Sequence, residues 1–366
     1  MDRNLKFKTW WTSLDKVILL STLVLLFFGT ILIYSSSLYF EERNNVSSNF
    51  LIKKHLFFIP LAVLTIISCS ILSLRNLIVV SFVFFLIFLV LSFLPPFLNV
   101  EIKGAKRWIK IFNISIQPSE FLKPTFLIIS SLLLTRFNKI KDYSFNLNIF
   151  FFLILTISFL FQPDFGMLML IFIAWFLQII LSGASLLIIF LFVLFGILIS
   201  VFAFFNFAHV RFRVENFFLG NISDNFQINK SVDAISNGGL LGEGLGQAEI
   251  SKNLPDVHTD FIFALAGEEL GFLFLMILIS CYLMIFGRVL IFAFKEKNLF
   301  IFLASSGLIF IFIFQVMINI SSSLNLIPTK GMTLPFISYG GSSLISSSFL
   351  IGSLLCLTKI RQYNEK

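Results

Sequence analysis

Histidine, cysteine and charge are all scarce in this chain. Three histidines (His55, His209 and His258) and three cysteines (Cys69, Cys281 and Cys356) are scattered over 366 residues. Neither set has metal-ligand spacing, so no zinc centre is expected, and the cysteines make no disulfide framework. Charged residues are only 13% of the chain, far below the share of an ordinary soluble domain. No internal repeat is visible, which counts against a transporter built from duplicated halves. No cleavable signal peptide is evident either: the first apolar run, 17–34, is long for a signal h-region and lacks a clear small-residue cleavage site.

What fills the chain is apolar. Hydrophobic residues make up 58%, and 51 residues are phenylalanine. Mean hydropathy is +0.97. Runs of about 20 apolar residues are long enough to cross a hydrocarbon core. The expected class is all-α, a polytopic membrane protein in one domain over 1–366. Its ten expected spans lie near 16–38, 54–73, 77–95, 118–135, 147–163, 166–183, 185–206, 259–287, 299–320 and 334–357. Phenylalanine is read as lipid-facing filler. About 14 of the 27 Lys and Arg residues, with 5 of the 19 Asp and Glu, fall on the face that carries both termini. That face is therefore expected to be cytoplasmic, and the net charge of +8 reflects sidedness rather than nucleic-acid binding. The other face holds a long loop between spans 7 and 8, near 207–258, expected to contain short helices.

Ionisable residues cluster at span mouths on that second face. Residues 103–124 carry Lys106, Arg107, Trp108 and Lys110, then Glu120 and Lys123. A basic cluster on the outer side opposes the orientation rule and suits an anion such as a diphosphate, with Trp108 at the interface or on a sugar. Attraction to lipid phosphates is the plainer alternative, and Glu120 with Lys123 is open to a purely structural pairing at i, i+3. In QPDFG (162–166), Asp164 is either a turn former or an ionic partner of the site. The run GGLLGEGLGQ (238–247) lacks the spacings of phosphate-binding loops and is read as a flexible, packed segment. In NLPDVHTDFIFALAGEELGF (253–272), a helix would put Asp256 and Asp260 on one face and turn His258 away. Asp260 stands where water meets lipid, able both to ionise and to act as a base. Glu268 and Glu269, about 12–14 Å further along, need partners inside the bundle or serve as structural ion pairs. In 326–343, Pro328, Gly331 and Pro335 break regular structure beside a cavity, to which Lys330 offers charge and Ser338, Tyr339, Ser342 and Ser343 offer hydroxyls.

Taken together, GAKRW, QPSEFLKP, QPDFG, GGLLGEGLGQ, LPDVHTDFIFALAGEELG and IPTKGMTLPFISYGGSS resemble the SEDS family of shape, elongation, division and sporulation proteins, in family order over most of the chain. The last motif is closer to the division member; the elongation member usually has an apolar residue where Lys330 stands. The resemblance implies a SEDS-type bundle and a peptidoglycan glycosyltransferase. Its substrate would be lipid II, a disaccharide-pentapeptide on undecaprenyl diphosphate, and its product a β-1,4 glycan strand at the outer face of the cytoplasmic (inner) membrane, at the division septum. The implied partners are a class B penicillin-binding protein and other divisome membrane proteins. By matching positions, Asp260 is the catalytic carboxylate, and Lys106, Arg107, Trp108, Glu120, Lys123, Asp164, His258, Lys330 and Ser338 bind substrate. No protein-bound metal or cofactor is implied with certainty; a divalent cation stays open. Asp256 stands where Glu is common, and 207–229 matches the family poorly. An elongation-type polymerase, a lipid II flippase and a non-catalytic division scaffold are the competing readings.

Overall fold

Several apolar runs begin beside a side chain that can cap them. Asp15 Oδ1 accepts from the N–H of Val17 at 3.1 Å, Ser73 from Asn76 at 3.3 Å and Asn298 from Phe300 at 3.0 Å. Each takes up an N–H that the first turn of a helix leaves over. The computed structural model describes residues 3–44, 49–98, 106–111, 114–136, 143–207, 210–212, 214–215, 222–328 and 331–359. Helices there are α1 (Arg3–Ser13), α2 (Lys16–Asn44), α3 (Phe50–Ile71), α4 (Leu74–Ser92), α5 (Pro118–Leu134), α6 (Ser144–Phe161), α7 (Phe165–Leu181), α8 (Leu186–Asn206), α9 (Ile222–Asn237), α10 (Ile262–Lys295), α11 (Leu299–Ser323) and α12 (Gly341–Leu357). A small antiparallel hairpin, β1 (Ile109–Ile111) and β2 (Ile114–Ile116), precedes α5.

Among the described residues, seven helices (α2, α3, α4, α6, α8, α10 and α11) are long and apolar enough to cross a membrane. Helices α7 and α12 are shorter apolar ones, and α5 has 17 residues with Glu120 and Lys123 in its first two turns. The architecture is that of a polytopic helical membrane protein. Helix α12 packs chiefly on α3, α4 on α5, and α11 on α10, α5 and α7. Helix α8 leans on α7, with Gly196 against the Phe172 ring. It leaves Leu186, Phe190, Leu198 and Phe205 mostly exposed, a surface suited to lipid rather than water. The phenylalanines are not all outward filler. Phe85, Phe126, Phe152, Phe159 and Phe312 are buried, and Phe152 stacks on Trp175 at 4.0 Å.

Helix ends differ from the sequence reading by several residues, among them α2, which runs to Asn44 rather than 38, and α10, which runs to Lys295 rather than 287; two shifted starts bear on the site. Helix α12 begins at Gly341 rather than 334, because Pro335 and the left-handed Phe336 (φ 66°) hold 334–340 in turns. Helix α10 begins at Ile262 rather than 259, so Asp260 sits just ahead of the helix. It faces the same way as Asp256 through a turn, Asp260 N–H donating to Asp256 C=O at 3.0 Å, and not through a helical register. The loop between α8 and α10 contains α9 and a 3₁₀ turn, Ser251–Asn253.

Helix α10 is broken at Gly271 (φ 77°, ψ 177°), and the glycine-rich run repairs the break. In an unbroken helix the N–H groups of Phe272 and Leu273 would bond the carbonyls of Glu268 and Glu269. Here they donate to Gly239 (2.9 Å) and Leu240 (3.2 Å), while Glu243 and Gly244 N–H donate to Glu268 and Glu269 C=O, each at 2.9 Å. No buried backbone group among these is left over, as a buried break requires. The approach is backbone to backbone: a Cβ on Gly271 would lie 2.4 Å from the Gly242 nitrogen, and one on Gly242 2.2 Å from the Glu269 oxygen. The segment is therefore clamped rather than flexible.

The side chains of Glu268 and Glu269 hold the same loop. Glu268 accepts from the N–H groups of Glu249 (3.0 Å), Ile250 (2.7 Å) and Ser251 (2.7 Å). Glu269 accepts from Ser35 (2.5 Å), Tyr39 (2.9 Å) and the N–H of Gly246 (3.0 Å). Among the described residues neither forms an ion pair; each buried carboxyl is compensated here by hydrogen-bond donors.

Candidate active site

The links α4–α5, α6–α7, α9–α10 and α11–α12 meet at one end of the bundle around a cavity of about 520 Å³. Asp260, Arg107, Trp108, Glu120 and Asp164, five of the residues expected from sequence, line it. Asp256, Gln227, Gln117, Thr333 and Tyr339 line it as well. Burial raises the Tyr339 phenol above its ordinary value, so near neutral pH it stays a hydrogen-bond donor.

Arg107 reaches the cavity because the β1–β2 hairpin that follows it is pinned to α12. Ser342 Oγ accepts from Gln117 N–H (3.1 Å) and donates to Ser115 C=O (3.2 Å). One guanidinium nitrogen donates to Pro163 C=O at 3.1 Å, and another lies 3.5 Å from Asp164 Oδ1. Asp164 Oδ1 also caps α7 through Met167 N–H at 3.3 Å. Asp164 is thus turn former and ionic partner together. The Arg107–Asp164 contact is long for a hydrogen bond, and Arg107 Nε has no hydrogen-bond partner among the described residues. The guanidinium is therefore not saturated by its protein partners.

Lys123, expected to bind substrate, does not line the cavity. It is buried (3% exposed), 2.7 Å from Glu120 Oε2, and donates to Gln315 Oε1 at 2.6 Å. Gln315 passes the connection on, its amide donating to Thr333 C=O at 2.9 Å, and Thr333 shares a 2.6 Å bond with Ser343. A buried ammonium needs this many partners, which is why Lys123 is turned into the bundle. Ser338 also lies off the cavity: its hydroxyl donates to Thr259 C=O (2.6 Å) and accepts from Leu334 N–H (2.8 Å). It stitches the turn before α12 to the segment before α10. His258 faces a different, smaller cavity, and half-buried Lys106 is outside the main lining. Lys330 lies outside the described residues.

Sequence reading passed over Gln315, Asn319 and Gln227. The first two are amides at i, i+4 inside an apolar helix, a signal for a buried polar seam that could have been used. Gly331 was read only as a breaker. It takes φ +61°, and a Cβ there would be 3.2 Å from Asp260 Oδ2, so glycine makes room for the carboxylate. Among the described residues no three His, Cys, Asp or Glu side chains could hold a metal ion together.

A bundle of long apolar helices with a carboxylate and a guanidinium on one polar cavity at its end defines a class: polytopic helical membrane proteins with a charged cavity among their inter-helix links. The chain belongs to the FtsW/RodA/SpoVE family, whose description is "Cell cycle protein" and whose model matches residues 15–363. It is similar to proteins named "Probable peptidoglycan glycosyltransferase FtsW". The one from Caulobacter vibrioides is 33% identical over 358 residues, 96% of this chain and 91% of that protein. The one from Borreliella burgdorferi is 32% identical, with 95% and 97% covered. Among solved structures, one described as "Structural coordination of polymerization and crosslinking by a peptidoglycan synthase complex" has the same fold, with a TM-score of 0.76 at 24% identity over 95% of this chain and 98% of that one. The rod shape determining protein RodA of Thermus thermophilus superposes with a TM-score of 0.67 at 22% identity, over 95% and 97%.

Proposed function

We propose that this chain is a peptidoglycan glycosyltransferase of cell division, polymerising lipid II into β-1,4 glycan strands on the outer side of the cytoplasmic membrane. One observation carries the reading. Asp260, on the wall of a cavity at the membrane end of the bundle, shares that cavity with Arg107, a base and an anion binder in one space. The acceptor sugar hydroxyl attacks the anomeric carbon of the donor, and Asp260 takes the hydroxyl proton. The bond from that carbon to the diphosphate breaks, and its electron pair leaves with the diphosphate, whose charge Arg107 stabilises. Attack opposite the leaving group inverts the anomeric centre, so no covalent enzyme intermediate forms. The names of the FtsW relatives support the activity. The fold shared with the synthase complex supports a class B penicillin-binding protein as partner. Both termini lie in the cytoplasm on this reading, and the site of action is the septum.

The test is lipid II polymerisation by the purified protein with its partner. Asp260→Asn is expected to keep lipid II binding and to lose on the order of 10²–10⁴-fold in rate. Turnover near that of the wild type would remove Asp260 from the role of base.

A further inference from the structure

Among the described residues four glutamines are buried: Gln117, Gln162, Gln178 and Gln315. Three of them bond their amides within the protein. Gln162 donates to Ser92 C=O. Gln178 donates to Leu127 C=O at 3.1 Å and Leu303 C=O at 3.0 Å. Gln315 accepts from Lys123 and donates to Thr333 C=O. Gln117 is the exception. It is 9% exposed, yet among the described residues its side chain forms no hydrogen bond. Buried polar groups normally have a partner. The Gln117 side chain lines the main cavity, so its amide is left for a group that enters there.

The local fold holds Gln117 in place by its backbone alone. It precedes α5 at the position where a Ser, Thr, Asp or Asn side chain would cap the helix, and it makes no cap bond. Its N–H donates to Ser342 Oγ at 3.1 Å, and its C=O accepts from Glu120 N–H at 3.2 Å. Gln227, on α9, is a second such amide. It lines the same cavity and forms no hydrogen bond among the described residues. One helical turn on, Ser231 donates to Ser323 C=O at 2.8 Å. That bond ties α9 to α11 on the face that carries Gln227.

A carboxamide offers an N–H donor and a C=O acceptor, and a secondary amide offers the complement of both. A phosphate has only acceptors and an ammonium only donors, so neither matches. In lipid II the secondary amide beside the reacting anomeric carbon is the acetamido group at C2 of the sugar that bears the diphosphate. Its methyl group calls for apolar contact, and Met167 and Met332 line the same cavity. We propose that Gln117 and Gln227 are specificity-determining residues that read this acetamido group. This rests on the reading of the chain as a glycosyltransferase acting on lipid II.

The test uses the full-length protein in lipid nanodiscs and two probes: lipid II, and a synthetic lipid II with a hydroxyl in place of that acetamido group. Native mass spectrometry gives the affinity for each. The wild type is expected to bind lipid II about tenfold more tightly than the analogue. Gln117→Met and Gln227→Met keep the length of the side chain and lose the amide. Each should cut the preference about threefold, and the double variant should abolish it. The preference is a ratio, so a variant that is only less stable lowers both affinities and leaves it intact. No binding of either probe by the wild type, equal affinity for the two, or a wild-type preference in all three variants overturns the assignment. Polymerisation of lipid II is measured alongside. A preference that depends on both glutamines, with no polymerisation by the wild type, would instead sink the catalytic reading and leave a binding site for an acetamido sugar.

Discussion

Asn319 Nδ2 donates to the carbonyl of Asp260 at 3.1 Å and to that of Met332 at 2.6 Å. One amide thus fixes the segment before α10 to the loop before α12, at the point where Gly331 faces the Asp260 carboxylate. Asn319→Leu keeps the branching and heavy-atom count and removes both donors. Two carbonyls lose a partner, at about 1–3 kcal/mol each if buried. The expected outcome is a lower melting temperature and a kcat reduced about tenfold with KM within twofold, since misplacing the base costs rate more than binding. In an Asp260→Asn background the same change should cost no further rate. Additive losses would show that Asn319 acts elsewhere.

Glu120 and Lys123 form a buried pair on α5. Lys123→Met alone strands a carboxylate and is expected to cost about 3–5 kcal/mol. Glu120→Leu with Lys123→Met should regain much of that stability, because a buried pair replaced by apolar residues is often neutral. Thermal unfolding of the two variants in detergent decides it. A double variant as unstable as the single one would mean that the pair is worth more than its desolvation.

Glu268 accepts from three consecutive backbone N–H groups. Glu268→Gln turns one acceptor into a donor, which cannot satisfy an N–H. The expected result is a loss of about 1–3 kcal/mol and faster hydrogen exchange at 249–251, the stretch leading to Asp260. Exchange unchanged at those amides would mean that the loop is held by the glycine contacts alone.

Orientation can be read by labelling, since Cys69, Cys281 and Cys356 are all buried. Leu240→Cys places a thiol at an exposed position of the α9–α10 loop, and Lys297→Cys places one between α10 and α11. A membrane-impermeant maleimide added to whole cells should modify the first, and the second only after permeabilisation. The reverse pattern would invert the topology and with it the assignment of the cavity to the outer surface.

Part of this molecule was legible from the chain alone. Lipid demands long apolar helices, so the hydrophobic runs marked the helix positions; their ends were less legible, at α2 and α10 because the helix runs on past the apolar stretch to Asn44 and Lys295, and at α12 because Pro335 and Phe336 bend the chain. Charge is too costly within such runs to be casual, so Arg107, Glu120, Asp164 and Asp260 stood out, and all four meet on one cavity. What the chain could not show is the direction in which a polar side chain spends its bonds. Lys123 turns inward to Glu120 and Gln315 because burial leaves it no water. Ser338 is consumed by two backbone groups. Glu268 and Glu269 look from their spacing like ion-pair residues, yet they bind N–H groups of a loop some 20 residues earlier. Those partners are brought near by the break at Gly271 and by the close backbone approach that only glycine permits. Hydrogen bonds are short and directional, so which of several candidates a side chain bonds is decided by contacts distant in sequence, and only the tertiary structure supplies them.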